Sequence, residues 1–271
     1  TVAKIAGADL VKFQMRQPEL QARPGYMRAS CTTADPEDLI SELEHRRRME
    51  FTDEQLEEMF SHCSKLDVQL FASCWDLPSV ERMKPWQPRF WKLASASSTD
   101  LDLVRATRAA ADETGATVIA STGATSEAEV DALMEILGVE RTILCHCVMG
   151  YPIENDLVNA LVMLTLGKRY GCAVGYSGHE RGVQVSAYLV AMGAAARFLS
   201  PGLPWGPAVI ERHLTLDRSM RGSDHAASLE PQGFAQLVRD VRVIESAMGD
   251  GVKSVSEAEK REAMRLRRVA T

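Results

Sequence analysis

The part of the sequence that decides the predicted fold lies between Val174 and Pro231. It reads V-G-Y-S-G-H-E over residues 174–180, V-I-E-R-H-L-T-L-D-R over residues 209–218 and R-G-S-D-H-A-A-S-L-E-P over residues 221–231. His179 and His213 each follow a short apolar run that is typical of a buried strand, at residues 172–176 and 208–211. In a parallel sheet the two imidazole rings would emerge at the same edge, and that edge is where such sheets bind ligands.

Two histidine side chains at one edge of a sheet indicate a divalent metal site. Neutral imidazole nitrogens hold a borderline cation and leave coordination positions for water or a substrate oxygen. Histidines beside apolar runs also serve as hydrogen-bonded structural residues, so spacing alone leaves both interpretations of His179 and His213 open. The sequence Cys145-His146-Cys147 does not favour a metal site, because strand alternation sends the two cysteines to one face and the histidine to the other.

The composition is that of an ordinary globular protein that can bury a sizeable core. The chain has 271 residues, of which 45% are hydrophobic and 25% are charged, and its formal net charge is −6. This acidic balance argues against nucleic-acid binding, and no apolar run approaches the ~20 residues of a membrane-spanning helix. We therefore expect a small-molecule substrate, with no nucleic-acid or membrane partner. Six scattered cysteines and no visible leader favour a reducing cytoplasm.

Strand-like and helix-like segments alternate along most of the chain. Apolar runs predict strands at residues 8–14, 68–75, 89–95, 117–122, 142–147, 172–176 and 208–214. Helical periodicity and capping residues predict helices that begin near Thr52 and at residues 100–114, 126–137, 155–170 and 182–192. Residues 17–49 lack clear periodicity, so a long loop with a short helix near 36–48 is expected there. Repeated strand and helix units are typical of a parallel sheet covered by helices.

A closed barrel explains the positions of the polar residues better than an open doubly wound sheet does. Polar groups occur at or just beyond the ends of successive predicted strands: Lys12, Gln14, Ser73, Lys92, Ser95, Ser121, Tyr151, Ser177, His179 and His213. They form one ring only if the sheet closes, because an open sheet would hold several of them far apart. The sequence therefore predicts an α/β fold, the TIM (β/α)8 barrel, with the first strand missing because seven strands are found.

The predicted ring combines charges and hydroxyls that suit a small polyanion. Lys12 and Lys92 lie inside apolar runs, where an ammonium group is costly to bury unless it meets an anion. Serine hydroxyls would orient that anion, and a metal at the two histidines would polarise a carbonyl group. A phosphate, a carboxylate and a carbonyl electrophile form a coherent substrate set. Each feature also has a simpler explanation, since lysines extend to solvent at strand edges and serine is common where strands end.

Several segments resemble the sialic acid synthase family, in the right order and along nearly the whole chain. They are V-K-F-Q at 11–14, F-W-K-L-A-S at 90–95, S-T-G at 121–123, H-C at 146–147 with Y-P at 151–152, and the stretches 174–180, 210–218 and 222–231. The resemblance implies a TIM barrel that condenses phosphoenolpyruvate with an N-acetylated hexose such as N-acetylmannosamine. It also implies Mn²⁺ or Mg²⁺ as the cofactor, and a nonulosonic acid and phosphate as the products.

The resemblance also implies roles for the residues of the predicted ring. By it, His179 and His213 would bind the metal, and phosphoenolpyruvate would be surrounded by Lys12, Ser73, Lys92, Ser95, Ser121 and Ser177. It implies catalytic roles for Lys12, Gln14, Tyr151 and Asp224, of which the last three would contact the sugar. A homodimer is expected as well, from the resemblance and because a barrel without its eighth strand exposes sheet edges.

The chain departs from the family pattern at several points. The family's first-strand motif and its small antifreeze-like domain are absent, so we expect residues 1–271 to form a single, N-terminally incomplete barrel domain with a helical tail at about 255–271. Ser97 stands where the family has glutamate, Met149 stands where it usually has serine or asparagine, and residues 197–207 look like an insertion. Two functions stay open: an active synthase, or a catalytically impaired barrel that binds phosphoenolpyruvate or metal as an assembly subunit.

Overall fold

One parallel sheet organises the computed structural model, which describes residues 1–29, 39–202 and 206–268 of the chain. The strands are β1 (Leu10–Met15), β2 (Met27–Ala29), β3 (Leu39–Ser41), β4 (Gln69–Cys74), β5 (Phe90–Leu93), β6 (Thr117–Ser121), β7 (Thr142–Cys147), β8 (Ala173–Gly178) and β9 (Ile210–Arg212). Seven of them form the sheet in the order β1-β4-β5-β6-β7-β8-β9, and every neighbouring pair is parallel. The predicted strands and their parallel sheet are present, and each strand end lies within about two residues of its predicted position.

Helices follow most of the strands of this sheet. They are α1 (Val2–Ile5), α2 (Pro18–Gln21), α3 (Glu42–Met49), α4 (Asp53–Lys65), α5 (Leu77–Met83), α6 (Leu101–Thr114), α7 (Glu127–Leu137), α8 (Val162–Tyr170), α9 (Gln184–Leu199), α10 (Pro231–Ala247) and α11 (Glu257–Leu266). Thr52 and Ser126 form capping boxes that begin α4 and α7, and the Asp100 carboxylate caps α6. These are the helix starts that the sequence predicted.

Two predicted segments differ from the structure. The predicted helix at 155–170 is divided into a short 3₁₀ turn and α8, because Asn159 has a φ of 48° that a right-handed helix does not include. Helix α9 continues to Leu199, so the first part of the predicted insertion at 197–207 is helical. Three successive alanines just before that point favour the continuation of the helix.

The predictions for residues 17–49, for the insertion and for the C-terminal tail can be compared with the structure only in part, because some of these residues are not described. The stretch at 17–49, predicted as a loop with one short helix, contains α2, the antiparallel pair β2 and β3, and α3. Residues 30–38, which include Cys31 and the start of that predicted helix, lie outside the described residues, as do residues 203–205 of the predicted insertion. The predicted helical tail contains α11, and residues 269–271 lie outside the described residues.

The sheet curls until its two edge strands, β1 and β9, face each other. Lys12 of β1 and Glu211 of β9 form an ion pair across the gap, with Nζ 3.7 Å from Oε1. A cavity of about 520 Å³ lies between the two strands and is also lined by Phe234 and Leu237 of α10. Within the described residues, β1 and β9 do not pair with each other. The curled sheet agrees with the predicted barrel. The missing first strand, which would be the eighth of the barrel, stays a prediction.

Core residues fill both faces of the sheet and leave polar groups at one end of its inner face. Trp91 is 2% exposed and Phe71 is 5% exposed. Phe71 lines the same cavity as Lys12, and two residues later on the same inner face the strand carries Ser73. Ile119 likewise lines the cavity and is followed two residues later by a serine. The inner face is therefore apolar in its middle and polar at the carboxyl ends of the strands.

Two findings in the described residues relate to the composition of the chain. No helix in the described parts of the chain is both long enough and apolar enough to cross a membrane. The thiols of the five cysteines in those parts are free: Cys63, Cys74, Cys145, Cys147 and Cys172.

Candidate active site

Side-chain alternation brings most of the predicted polar residues to the carboxyl end of the inner face. Residues two apart along an extended segment share a face, so Ser177 lies with His179 and Glu211 lies with His213. Strands β8 and β9 are neighbours in the sheet, with Ser177 paired to Glu211 in register. The contacts define two adjoining groups. The lysine cluster comprises Lys12, Ser73, Lys92, Ser121, Ser177 and Glu211, and the histidine pair comprises His179 and His213.

Each lysine of the lysine cluster is held by a serine from a neighbouring strand. Lys12 Nζ donates a hydrogen bond to Ser73 Oγ at 3.3 Å. Lys92 donates to the hydroxyl of Ser121 and, at 3.1 Å, to the main-chain oxygen of Leu93. Lys92 is 2% exposed, so its ammonium group is almost fully removed from water. The structure thus brings together both predicted lysines and two of the predicted serines.

Glu211 lies at the centre of the lysine cluster, although it was not among the site residues predicted from the sequence. Its carboxylate is 3.7 Å from Lys12 Nζ and 3.9 Å from Lys92 Nζ, and it accepts a hydrogen bond from Ser177 Oγ at 3.2 Å. Burial alone would raise the pKa of Glu211, but the two ammonium groups outweigh burial and lower the pKa to about 2. The available signal was a glutamate inside an apolar strand, two residues before His213 and therefore on its face.

The charges of the lysine cluster suit an incoming anion. Within the cluster, two lysines face the single carboxylate of Glu211, so the cluster itself has a net positive charge when both lysines are protonated. Burial lowers the pKa of Lys12 below its ordinary value, and Glu211 and Asp224 oppose that shift only in part, while Lys92 adds to it. A bound phosphate or carboxylate would supply the missing countercharge and stabilise the charged form of Lys12.

The two imidazole rings of the histidine pair lie close together. The ring centres of His179 and His213 are 5.2 Å apart. His179 Nδ1 lies 3.1 Å from the carbonyl oxygen of Val148, and His213 Nδ1 lies 3.4 Å from Asp224 Oδ2. Because carbonyl and carboxylate oxygens only accept, both contacts favour a proton on Nδ1 and leave the Nε2 lone pairs available. Burial lowers the pKa of His213 to about 4, so this ring is neutral near pH 7.

Cys147 is a further neighbour of the histidine pair that the sequence analysis did not assign to the site. Its Sγ lies 3.8 Å from His179 Nδ1. Burial lowers the pKa of His179, but the contact with Cys147 outweighs burial, and the net shift is upward. His146 lies on the opposite face of the strand, with Nε2 2.6 Å from the carbonyl oxygen of Val158. The structure therefore agrees that Cys145-His146-Cys147 does not form one metal site.

The donor set fits one divalent cation with an open coordination shell. Across residues 1–29, 39–202 and 206–268, no group of three or more His, Cys, Asp or Glu side chains is arranged to hold a metal. The protein would therefore supply the two imidazoles of the histidine pair, and oxygen atoms of water or substrate would fill the other positions. Imidazole and oxygen donors together suit a cation such as Mn²⁺. The metal assignment stays a prediction.

Three predicted sugar-contacting residues lie toward the outer edge of the site, and they differ in their contacts. The ring centre of Tyr151 is 4.3 Å from that of His179, and Tyr151 is 39% exposed. Burial raises the pKa of Tyr151 to about 12. Asp224 joins the site through its contact with the second histidine of the pair. The Gln14 side chain instead accepts a hydrogen bond from Arg16, which stacks 4.4 Å from the Trp75 ring centre.

Ser95 and Ser97 lie in the 3₁₀ turn between β5 and α6. Ser95 Oγ accepts a hydrogen bond from Gly123 N at 3.0 Å and also contacts Cys147. These contacts place Ser95 beside Cys147, which is itself a neighbour of His179. Ser97 ends the same turn and is 5% exposed.

Comparison with known proteins identifies the family of the chain. Residues 1–253 match the NeuB family. The chain belongs to the NeuB family. It is 31% identical over 268 residues to an N,N'-diacetyllegionaminic acid synthase of Campylobacter jejuni, in an alignment that covers 96% of this chain and 74% of that protein. It is 30% identical over 260 residues to an N-acetylneuraminate-9-phosphate synthase of Mus musculus, covering 95% of this chain and 67% of that protein.

A solved structure supports the same NeuB-family fold. The N-acetylneuraminic acid (sialic acid) synthetase of Leptospira borgpetersenii serovar Hardjo-bovis, in complex with citrate, aligns with a TM-score of 0.74 and 25% identity. The alignment covers 99% of this chain and 85% of that one. The resemblance seen in the sequence segments is therefore confirmed at the level of the family, and the curled sheet matches that of a TIM-like barrel.

Proposed function

We propose that this chain condenses phosphoenolpyruvate with an N-acetylated hexose, such as N-acetylmannosamine, to form a nonulosonic acid and phosphate. The observation that carries the proposal is the adjacency of the lysine cluster and the histidine pair. Buried ammonium groups suit a phosphate and a carboxylate, and the imidazoles beside them suit a cation that activates a carbonyl. A barrel that only binds is not favoured, because both lysines and both imidazoles are in place and the curated relatives are named as synthases.

In the proposed transferase reaction, Lys12 and Lys92 hold the anionic groups of phosphoenolpyruvate and fix the direction of its enol carbon. That carbon forms a bond to the aldehyde carbon of the open-chain sugar, and the aldehyde oxygen takes up a proton. Water adds to the resulting oxocarbenium carbon and releases a proton. The new hydroxyl group then loses its proton and becomes the carbonyl group as the bond from that carbon to the phosphate oxygen breaks. A cation bound at the histidine pair would act as a Lewis acid toward the aldehyde oxygen. The ammonium groups stabilise the departing anion.

The acceptor sugar is tested by phosphate release. The two curated relatives are named for different products, legionaminic and neuraminic acids, so family membership does not select the hexose. We expect release of phosphate from phosphoenolpyruvate only when Mn²⁺ and one of a panel of N-acetylated hexoses, with and without a 6-phosphate, are present. Failure to bind phosphoenolpyruvate, together with no release for any hexose, would contradict the proposed function.

Mn²⁺ binding is expected to be lost in the double variant His179→Ala/His213→Ala, because it removes both imidazole donors. The measurement is metal analysis after equilibration with Mn²⁺ and removal of the unbound ion. The matched control is His62→Ala, a histidine exposed on α4, and it should retain the metal content of the parent. Unchanged stoichiometric metal in the double variant would show that the assignment is wrong.

Phosphoenolpyruvate affinity is expected to fall as the pH rises. The fall should begin at a lower pH than it would if Lys12 had the ordinary pKa of a lysine. Since the pKa of Lys12 is lowered, its ammonium form is lost as the pH rises through that lowered pKa. Affinity should therefore decline with rising pH before about pH 10.4, the ordinary lysine value. Calorimetry across this range measures the decline. The Lys12→Arg variant stays charged and should flatten the decline, and an equally steep decline in that variant would contradict the explanation.

We also propose that a further strand completes the barrel between β1 and β9, and that the domain acts as a cytoplasmic homodimer. The proposal of a further strand is supported by the cavity that both edge strands line. The homodimer is supported by the resemblance to the sialic acid synthase family. A barrel that lacked the further strand would in addition expose sheet edges that favour pairing with another chain. Sedimentation at micromolar concentration is expected to give a dimer, and a monomer at all concentrations would contradict the homodimer.

A further inference from the structure

A buried ion pair lies directly behind the histidine pair. Arg212 Nη1 is 2.7 Å from Glu180 Oε1, and both side chains are 0% exposed. Glu180 follows His179 in the sequence, and Arg212 precedes His213. Because neighbouring residues of extended chain point to opposite faces, the ion pair and the histidine pair occupy the two sides of the same two segments.

The ion pair joins three parts of the fold through directional hydrogen bonds. Glu180 Oε2 accepts from the Tyr176 hydroxyl of β8 at 2.7 Å, and Glu180 Oε1 accepts from Ser186 Oγ of α9 at 3.0 Å. Arg212 of β9 donates to the Gly182 carbonyl at 2.9 Å and also to the main-chain oxygen of Glu180. These contacts fix the chain that carries His179 relative to the strand that carries His213.

Stability alone is a weak reason for such a pair. Removing two charges from water costs several kcal/mol per ion, and well-packed apolar residues of similar volume often stabilise a fold as well or better. A guanidinium and a carboxylate differ from apolar residues in fixing distance and direction. The fixed distance and direction within the ion pair therefore matter most for the positions of the two imidazole rings, which lie on the opposite face of the same segments.

We propose that the Glu180–Arg212 ion pair sets the separation of His179 and His213 and thereby the affinity of the site for a divalent cation. Glu180 and Arg212 are positioning residues, since they act through the histidines that follow and precede them. The inference rests on the proposed function in one respect, which is that the histidine pair holds the cation. Loss of a residue that orients a metal ligand typically lowers metal affinity about 10- to 100-fold.

The test is the double variant Glu180→Leu/Arg212→Met, which removes the pair without leaving an unpaired buried charge. We expect a folded double variant with a lowered thermal midpoint, because Tyr176, Ser186 and two main-chain carbonyl groups lose hydrogen-bond partners. We expect phosphoenolpyruvate affinity in metal-free protein within about twofold of the parent, and Mn²⁺ affinity about 10- to 100-fold weaker. If the folded double variant binds Mn²⁺ with the parent's affinity, the pair does not set the separation of the two histidines and the inference is overturned.

If the double variant does not fold, the single variant Arg212→Lys and an NMR measurement test the inference instead. Arg212→Lys keeps the charge but loses the planar fork, so we expect a native circular dichroism spectrum and weaker Mn²⁺ binding. In metal-free protein, the NMR resonances of the His179 and His213 rings should shift in this variant, and those of His62 should not. Unmoved rings would overturn the inference. A parent protein that binds no Mn²⁺ would instead count against the proposed function. The inference would still be tested in that case, because the ring resonances of metal-free protein report the positions of the two histidines without any metal.

Discussion

The Lys92→Met variant is expected to bind phosphoenolpyruvate on the order of 100-fold more weakly than the parent, because truncating one member of a buried charge pair costs several kcal/mol. Lys92 is 2% exposed, contacts the Ser121 hydroxyl and lies 3.9 Å from Glu211. Methionine keeps most of the length and volume of the side chain, so the surrounding core stays filled. With this charge removed, Glu211 faces only Lys12, and no net positive charge remains for the anion.

The effect is measured by calorimetric titration with phosphoenolpyruvate, beside circular dichroism that checks the fold. The matched control is Lys65→Met, which removes a lysine from the exposed end of α4. We expect the control to bind like the parent, since an exposed charge far from the ligand is screened by solvent. Parent-like affinity in a folded Lys92→Met variant would show that the lysine cluster does not bind phosphoenolpyruvate.

The sheet could be predicted from the sequence because its strands and helices carry strong local signals. A parallel strand is buried on both faces and reads as a continuous apolar run, as residues 142–147 do. Residues such as Asp100 and Ser126 mark helix starts through hydrogen bonds that depend only on the next few residues. The order of the strands then follows from short connections that join neighbours.

The interruptions of the helices could not be predicted from the same signals. Asn159 adopts a left-handed conformation that breaks the predicted helix at 155–170, although the apolar spacing continues through it. Asparagine tolerates that conformation without requiring it, so the surrounding packing decides. The extension of α9 to Leu199 similarly reflects helix-forming residues inside a stretch whose prolines and glycines suggested a loop.

The candidate site was predictable where a charge interrupts an apolar strand and less so where side chains meet through the tertiary fold. Lys12 and Lys92 are conspicuous in the sequence, and both lie on the inner face of the sheet. Glu211 gives a similar signal, but its role depends on the curl that brings β9 against β1. The hydrogen bond from Arg16 to Gln14 depends on side-chain packing, which the hydrophobic periodicity of the sequence does not predict.

Phosphate release with N-acetylmannosamine is expected to rise by about 10²- to 10⁴-fold in the Ser97→Glu variant, which is the usual contribution of one positioned proton-transfer group. Ser97 ends the turn after β5, at the position where the resemblance to the sialic acid synthase family implies a glutamate. A serine hydroxyl does not act as an acid or base near neutral pH, so the parent should bind phosphoenolpyruvate but turn over slowly. The lysine cluster is unchanged in the variant, and phosphoenolpyruvate affinity should therefore stay close to that of the parent.

The matched control for this variant is Ser97→Gln, which has the length of glutamate but no ionisable group. Ser97 is 5% exposed, so both variants should lower the thermal midpoint, because each places a longer polar side chain in a buried turn. Only the glutamate variant should gain turnover, and its rate should rise with pH through the pKa of the new carboxyl group if that group acts as a base. A parent that already turns over N-acetylmannosamine as fast as the glutamate variant would show that Ser97 is no handicap. An equal gain in the glutamine variant would show that side-chain size, rather than proton transfer, limits the rate.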